Sequence, residues 1–137
     1  MGNILGRRSF VIDLEGTLYV GNSPIEGIRE TIECLRKKGY RFRFVTNTTR
    51  RSRKSLCEKL HKLGFNLFEG EIFSAPVSAA HYCKKHAEGL NCEARCFLLT
   101  TGDTYLDFTS LGISLTEENP RFVVVGDAGE KFTGLRI

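Results

Sequence analysis

The sequence predicts an α/β fold, a parallel sheet with helices on both faces. Three observations carry that expectation. Short apolar runs of strand length recur along the chain, apolar residues at helical spacing lie between them, and glycine or polar stop signals separate the two patterns. At 137 residues, with 41% apolar and 26% charged residues, the chain has the composition of one globular domain with its own core.

Ser9 to Ile12 is an apolar run suited to a fully buried parallel strand, and it ends at Asp13. Ser23-Pro24-Ile25-Glu26 combines a capping serine, a first-turn proline and a glutamate three residues after the cap, so a helix is expected to begin there. Ile28, Ile32 and Leu35 continue it at helical spacing, and Gly39 ends it after Arg36-Lys37-Lys38. Tyr40 to Val45 reads as the second strand, with Phe42 and Phe44 alternating against Arg41 and Arg43, and it runs into Thr46-Asn47-Thr48-Thr49. Arg51 to Leu63 reads as a helix with Leu56, Leu60 and Leu63 on one face. Glu71 to Ser74 reads as a short strand and Pro76 to Lys85 as a third helix. Arg95 to Thr100 and Arg121 to Val125 complete the strands. No repeat, low-complexity tract or linker interrupts the pattern.

Charge and cysteine usage narrow the function classes. The net charge of +4 comes largely from Arg50-Arg-Ser-Arg-Lys54 and Arg36-Lys-Lys38, and no aromatic residue is interleaved with the first cluster, so no nucleic-acid partner is expected. No apolar stretch approaches the roughly 20 residues of a membrane span, and the amino terminus lacks a secretory layout, so a cytoplasmic protein without a membrane partner is expected. Gly2 opens a myristoylation motif, but Gly6 stands where Ser or Thr is required. Five cysteines without secretory context suggest reduced thiols. Cys83, His86, Cys92 and Cys96 are zinc-compatible in type, but their spacing matches no standard zinc module, and buried or surface thiols are the plainer reading.

The chemical signal is Asp13-Leu-Glu15-Gly16-Thr17-Leu18. An aspartate leaving a strand with a second carboxylate two residues on sets two hard oxygen donors at one edge, where Mg²⁺ can screen them. Such a pair divides the work of phosphoryl transfer: Asp13 as nucleophile, Glu15 as proton donor and then water activator. The plainer alternative is a strand-end Asp followed by a solvated Glu in a turn. Downstream, Thr46 and Asn47 end a strand just before a helix, where hydroxyl, amide and unpaired backbone donors suit an anion, although Thr and Asn also serve there as helix caps. Arg50, Arg51 and Arg53 read as a solvated basic face rather than a steering patch.

These residues resemble the haloacid dehalogenase superfamily. Asp13-Leu-Glu15-Gly16-Thr17-Leu18 is similar to its first motif, Asp-x-Asp-Gly-Thr-Leu, and Phe44-Val-Thr46-Asn47 to its second. Lys62-Leu-Gly-Phe65, Glu71-Ile-Phe-Ser-Ala75 and Asn119-Pro-Arg-Phe-Val-Val-Val125 resemble the capped subgroup, which includes 4-nitrophenyl phosphatase-like and phospholysine phosphohistidine inorganic pyrophosphate phosphatase-like proteins.

The resemblance implies a Rossmann-like core and a Mg²⁺-dependent phosphatase acting on a small phosphorylated substrate. It implies Asp13 and Glu15 as catalytic residues and metal ligands, and Thr46 and Asn47 as phosphate ligands. Glu15 stands where most members carry Asp. Gly126-Asp127 imitates the start of a later acidic motif, but no lysine occurs from Glu88 through Glu130, so a strand-end turn is expected there. The resemblance further implies that residues 1–137 are the N-terminal part of such a core, ending near its cap, with an incomplete sheet whose exposed edge can pair with another copy. The alternative is a catalytically inactive variant that binds phosphate or a partner protein.

Overall fold

The computed structural model describes residues 9–129; the Gly2 motif and the Lys131–Ile137 tail fall outside them. The elements in order are β1 (Ser9–Asp13), β2 (Tyr19–Val20), β3 (Ser23–Pro24), α1 (Ile28–Lys37), β4 (Arg41–Thr46), α2 (Arg53–Lys62), β5 (Ile72–Ser74), α3 (Ala75–Gly89), β6 (Arg95–Leu99), α4 (Tyr105–Thr109), β7 (Ser114–Leu115) and β8 (Phe122–Val125). They divide between two compact units, one comprising Met1–Thr46 and Cys57–Phe73, the other Asn47–Leu56 and Ser74–Ile137.

The first unit is built on a sheet of order β1-β4-β5. β1 and β4 run parallel, in register from Ser9 against Arg41 to Asp13 against Val45. The alternation in β4 explains its placement: Phe42 and Phe44 are 5% and 0% exposed, whereas Arg41 and Arg43 face solvent. Phe10 stacks on Phe42 at 5.9 Å and Phe42 on Phe44 at 5.8 Å, pairs worth about 0.5–1.5 kcal/mol each beyond their area. Arg36 of α1 lies over both Phe42 and Phe68 and pairs with Glu71 at 2.7 Å, so its long stem covers the aromatic edge.

Two expectations for this unit need correction. β1 is not fully buried: Val11 is 71% and Phe10 37% exposed, because β1 ends the strand order and only one of its edges is paired among the described residues. The helix does not begin at Ser23. Ser23 and Pro24 instead pair antiparallel with Val20 and Tyr19 across a Gly21-Asn22 loop. Gly27, at φ 76°, then turns the chain and caps α1; a left-handed backbone of this kind favours glycine.

In the second unit β6 is central to a sheet of order β7-β6-β8, parallel to both neighbours. Buried Ala80, Cys83 and Ala87 from α3, Phe108 from α4, and Cys96 from β6 form its core, joined by Ile113. Ser74 caps α3, its Oγ accepting from the Val77 N–H at 3.5 Å, with Pro76 in the first turn. The α/β class and parallel pairing are as expected; among the described residues the strands are divided among three sheets, β1-β4-β5, the antiparallel β2-β3 pair and β7-β6-β8. Among the described residues no helix is long and apolar enough to cross a membrane.

Candidate functional site

In the first unit the site is assembled at the carboxyl end of β1 and β4. Asp13 is the last residue of β1 and sits opposite Val45, which sets Thr46 one step further along the neighbouring strand. The Leu14 N–H donates to the Val45 carbonyl at 3.1 Å, so the ladder extends one residue past Asp13. Parallel pairing thus joins two motifs that are far apart in sequence.

The turn after Asp13 is fixed by burial and backbone bonds. Leu14 and Leu18 are both 0% exposed, and the Leu18 N–H donates to the Leu14 carbonyl at 2.8 Å. The Gly16 N–H donates to Tyr19 O at 2.8 Å, and Glu15 bridges to Tyr19. Tyr19, 3% exposed, packs beneath Lys59, whose Nζ lies 4.1 Å from the ring centroid. With both leucines inward, Asp13, Glu15, Gly16 and Thr17 are left exposed to solvent.

Asp13 and Glu15 supply hard carboxylate oxygens only. That donor set fits Mg²⁺, which takes one or two carboxylates and fills its remaining positions with water and substrate phosphate. Among the described residues there is no group of three or more His, Cys, Asp or Glu able to hold a metal ion.

Asn47 begins the second unit, and the segment after it is tied down by residues remote in sequence. The Asp127 N–H donates to Thr49 Oγ1 at 2.7 Å, and Thr104 Oγ1 donates to the Thr49 carbonyl at 3.3 Å. At the start of α2, Asp103 accepts from the Ser52 N–H at 2.9 Å, from Ser52 Oγ at 2.6 Å and from Ser55 Oγ at 2.5 Å. The Arg53 N–H donates to the Asp107 carboxylate at 3.2 Å, and Arg53 Nε pairs with it at 3.4 Å. Ser52 caps the helix by accepting from the Ser55 N–H at 3.2 Å.

At the start of α2 the amides of Ser52 and Arg53 are thus each held by a carboxylate. Burial pushes the Asp103 carboxyl up, but hydrogen bonds from Ser52 and Ser55 outweigh it and hold the group below the usual carboxylate range. Neither Asp103 nor Asp107 could be found from local pattern, because their partners lie about fifty residues away.

The remaining candidates are structural. Asp127 is held below the usual range by its hydrogen bond from Arg50 Nε at 2.5 Å, and the Gly129 N–H donates to its other oxygen at 3.1 Å, so it forms an ion-paired turn. Arg50 and Arg53 are therefore paired rather than a free basic face, while Arg51 is exposed. Cys83 and Cys96 are buried in the second core, Cys92 Sγ donates to the Ala87 carbonyl at 3.4 Å, and the His86 ring is taken up by Tyr82 and Phe122.

Residues 10–119 match the model of the haloacid dehalogenase-like hydrolase family. Haloacid dehalogenase-like hydrolase domain-containing protein 2 of Rattus norvegicus is 33% identical over 125 residues, covering 91% of this chain and 44% of that protein. Human phospholysine phosphohistidine inorganic pyrophosphate phosphatase is 34% identical over 134 residues, covering 95% of this chain and 46% of that one. The glycerol phosphate phosphatase of Mycobacterium tuberculosis, solved in complex with magnesium, superposes with a TM-score of 0.73 at 29% identity, over 86% of this chain and 35% of its own. The chain spans less than half the length of these relatives.

Proposed function

The chain belongs to the haloacid dehalogenase-like hydrolase family, and on that premise we propose that it serves a Mg²⁺-dependent phosphatase working through an aspartyl-phosphate on Asp13. The observation that carries this reading is the β1–β4 register, which sets Asp13 beside the strand end that carries Thr46.

In the reaction, a carboxylate oxygen of Asp13 attacks phosphorus and displaces the leaving oxygen, which takes a proton from Glu15. Glu15 then accepts a proton from water as that water attacks the phosphorus. The P–O bond to Asp13 breaks, inorganic phosphate leaves, and both side chains return to their starting states. The Thr46 hydroxyl and the Asn47 amide hold the phosphoryl oxygens. Asp13 and Glu15 are the residues that would hold Mg²⁺, which supplies screening of the negative charge shared by carboxylate and phosphate. Glu15 reaches further than the aspartate common in the family. A displaced acid/base slows the chemistry strongly, so a modest rate is the expectation.

The substrate class is a small phosphorylated compound, with phosphoesters and phosphoamides both in range. A cytoplasmic setting accords with reduced cysteines. Arg50 and Arg53, being ion-paired, offer little to nucleic acid. The edge of β1 that has no partner strand among the described residues, with Val11 exposed, is the surface we assign to pairing with a second copy.

A second reading, a phosphate- or partner-binding domain without turnover, is favoured by Glu15, which stands where most members of the family carry Asp. Hydrolysis of 4-nitrophenyl phosphate separates the two. The catalytic reading expects Mg²⁺-dependent release of phosphate that Asp13→Asn abolishes. Turnover left intact by Asp13→Asn would remove Asp13 from the mechanism, and phosphate binding without any turnover would leave the second reading standing.

A further inference from the structure

We propose that the crevice beside the carboxyl half of β6 is a docking site for an extended peptide segment that carries a lysine or arginine. It lies wholly within the second unit and does not depend on the chemistry assigned to Asp13.

One edge of β6 is filled by β8, from Cys96 against Phe122 to Leu99 against Val125. The other edge is filled by β7 at Arg95 and Cys96 only. The bonds made show which way each residue turns its backbone. The Arg95 and Leu99 carbonyls accept from the N–H groups of Arg121 and Gly126 on the β8 side, whereas the Ala94 and Cys96 carbonyls accept from Ser114 and Thr116 on the β7 side. Alternation along the strand therefore turns the N–H and C=O of Leu98 to the β7 side, where the register has already ended. Among the described residues neither group has a partner. Leu98 thus offers one donor and one acceptor, the pair that a neighbouring strand takes up.

The opening is built rather than frayed. Thr116 Oγ1 accepts from the Glu118 N–H at 3.0 Å and donates to the Glu118 carbonyl at 3.1 Å, and Arg95 donates to that same carbonyl at 2.7 Å. These bonds hold the chain in the turn by which it leaves β6. On the α4 side, Thr104 is buried and its Oγ1 donates to the Thr101 carbonyl at 2.7 Å, which fixes the loop leading to Tyr105. Between the two walls lies a crevice of about 390 Å³, a size that suits a small ligand or a short peptide. Walls fixed in advance lower the ordering cost of binding.

The lining selects the occupant. Glu117 is its charged side chain, and among the described residues no lysine or arginine joins it, so a cation is favoured there and phosphate is not. Tyr105 and Leu115, 49% and 38% exposed, offer apolar surface to the stem of a basic side chain. An added strand would draw affinity from main-chain bonds at Leu98 and selectivity from Glu117.

The test is NMR titration of the ¹⁵N-labelled chain with acetyl-Val-Lys-Val-amide. Analogues carry glutamate or norleucine in place of the lysine, or N-methyl groups on the backbone amides. The lysine peptide is expected to give a saturable downfield shift of the Leu98 amide and to bind more tightly than the glutamate peptide. N-methylation should weaken it about three- to tenfold, the worth of one hydrogen bond. Glu117→Gln, at an exposed position where the fold is not at risk, should weaken the lysine peptide about two- to fivefold and leave the norleucine peptide unchanged. The assignment is overturned by no saturable change at Leu98, by a response centred on the outer edge of β8 instead, or by equal affinity for the lysine and glutamate peptides. Each of those outcomes leaves the reading of Asp13 untouched.

Discussion

Gly102 looks replaceable by exposure alone, since it faces solvent, yet its substitution is expected to be among the most damaging in the second unit. Two costs combine. Its φ of +69° is left-handed, and an alanine there pays about 1–2 kcal/mol, partly offset by about 0.4–1 kcal/mol of lost freedom in the unfolded chain. The new methyl would also overlap the backbone carbonyl of Arg50, whereas carbon normally stays about 3.3 Å or more from such an oxygen. Moving Arg50 disturbs the two hydrogen bonds that hold Thr49, each worth about 0.5–1.5 kcal/mol.

The sum is roughly 2–4 kcal/mol. Gly112 supplies the control, with a φ of +75° and nothing within 4 Å of an added methyl, so Gly112→Ala bears only the backbone cost of about 1 kcal/mol. Urea unfolding followed by circular dichroism separates the two. A difference of about 2 kcal/mol moves the midpoint by roughly 1 M. Equal midpoints for the two variants would refute the close approach of Gly102 to Arg50, and with it the tight seating of the segment after Asn47.

Three further outcomes are expected. Phe44→Ala, at a position 0% exposed, is expected to cost about 3–5 kcal/mol through lost burial and an unfilled cavity, and a urea midpoint close to wild type would contradict its place in the core. The Asp103 carboxyl is depressed in the folded chain. Its contribution to stability is therefore complete above the unfolded value of 3.8 and is lost as pH falls below it. The stability gap between wild type and Asp103→Asn should be open at pH 7 and narrow towards pH 3; a gap independent of pH would contradict the hydrogen bonding described. Burial, helped by neighbouring Cys83, pushes the Cys96 thiol up to about 12, while Cys34 is exposed. Iodoacetamide at pH 8 should modify Cys34 first and Cys96 among the last, as followed by mass spectrometry.

The parts of this molecule written in local pattern could be read from its sequence. Phe42 and Phe44 alternating with Arg41 and Arg43 specify a strand with one buried face, and Asp13-Leu-Glu15-Gly16-Thr17 at the end of an apolar run specifies a polar turn at a strand terminus. The hairpin of β2 and β3 was obscured by a competing signal. Ser23-Pro24-Ile25-Glu26 has the composition of a helix start, but Gly21-Asn22 is an equally good hairpin loop, and pairing with Tyr19 and Val20 prevails. Strand partition was not legible, because apolar runs carry no label for which edge they will pair. Nor were the anchors Asp103 and Asp107. An aspartate's role at the start of α2 depends on a contact between residues 51 and 54 positions apart, and neither end carries a distinctive pattern.

The central claim is that Asp13 accepts a phosphoryl group. Beryllofluoride tests it without requiring turnover, since with Mg²⁺ it bonds to a carboxylate built to carry phosphate and gives a distinct bound ¹⁹F resonance. Wild-type chain is predicted to show that resonance and Asp13→Asn to lose it, with Glu15→Gln folded and compared in parallel. A bound signal that survives Asp13→Asn, or none in the wild type, would contradict the assignment.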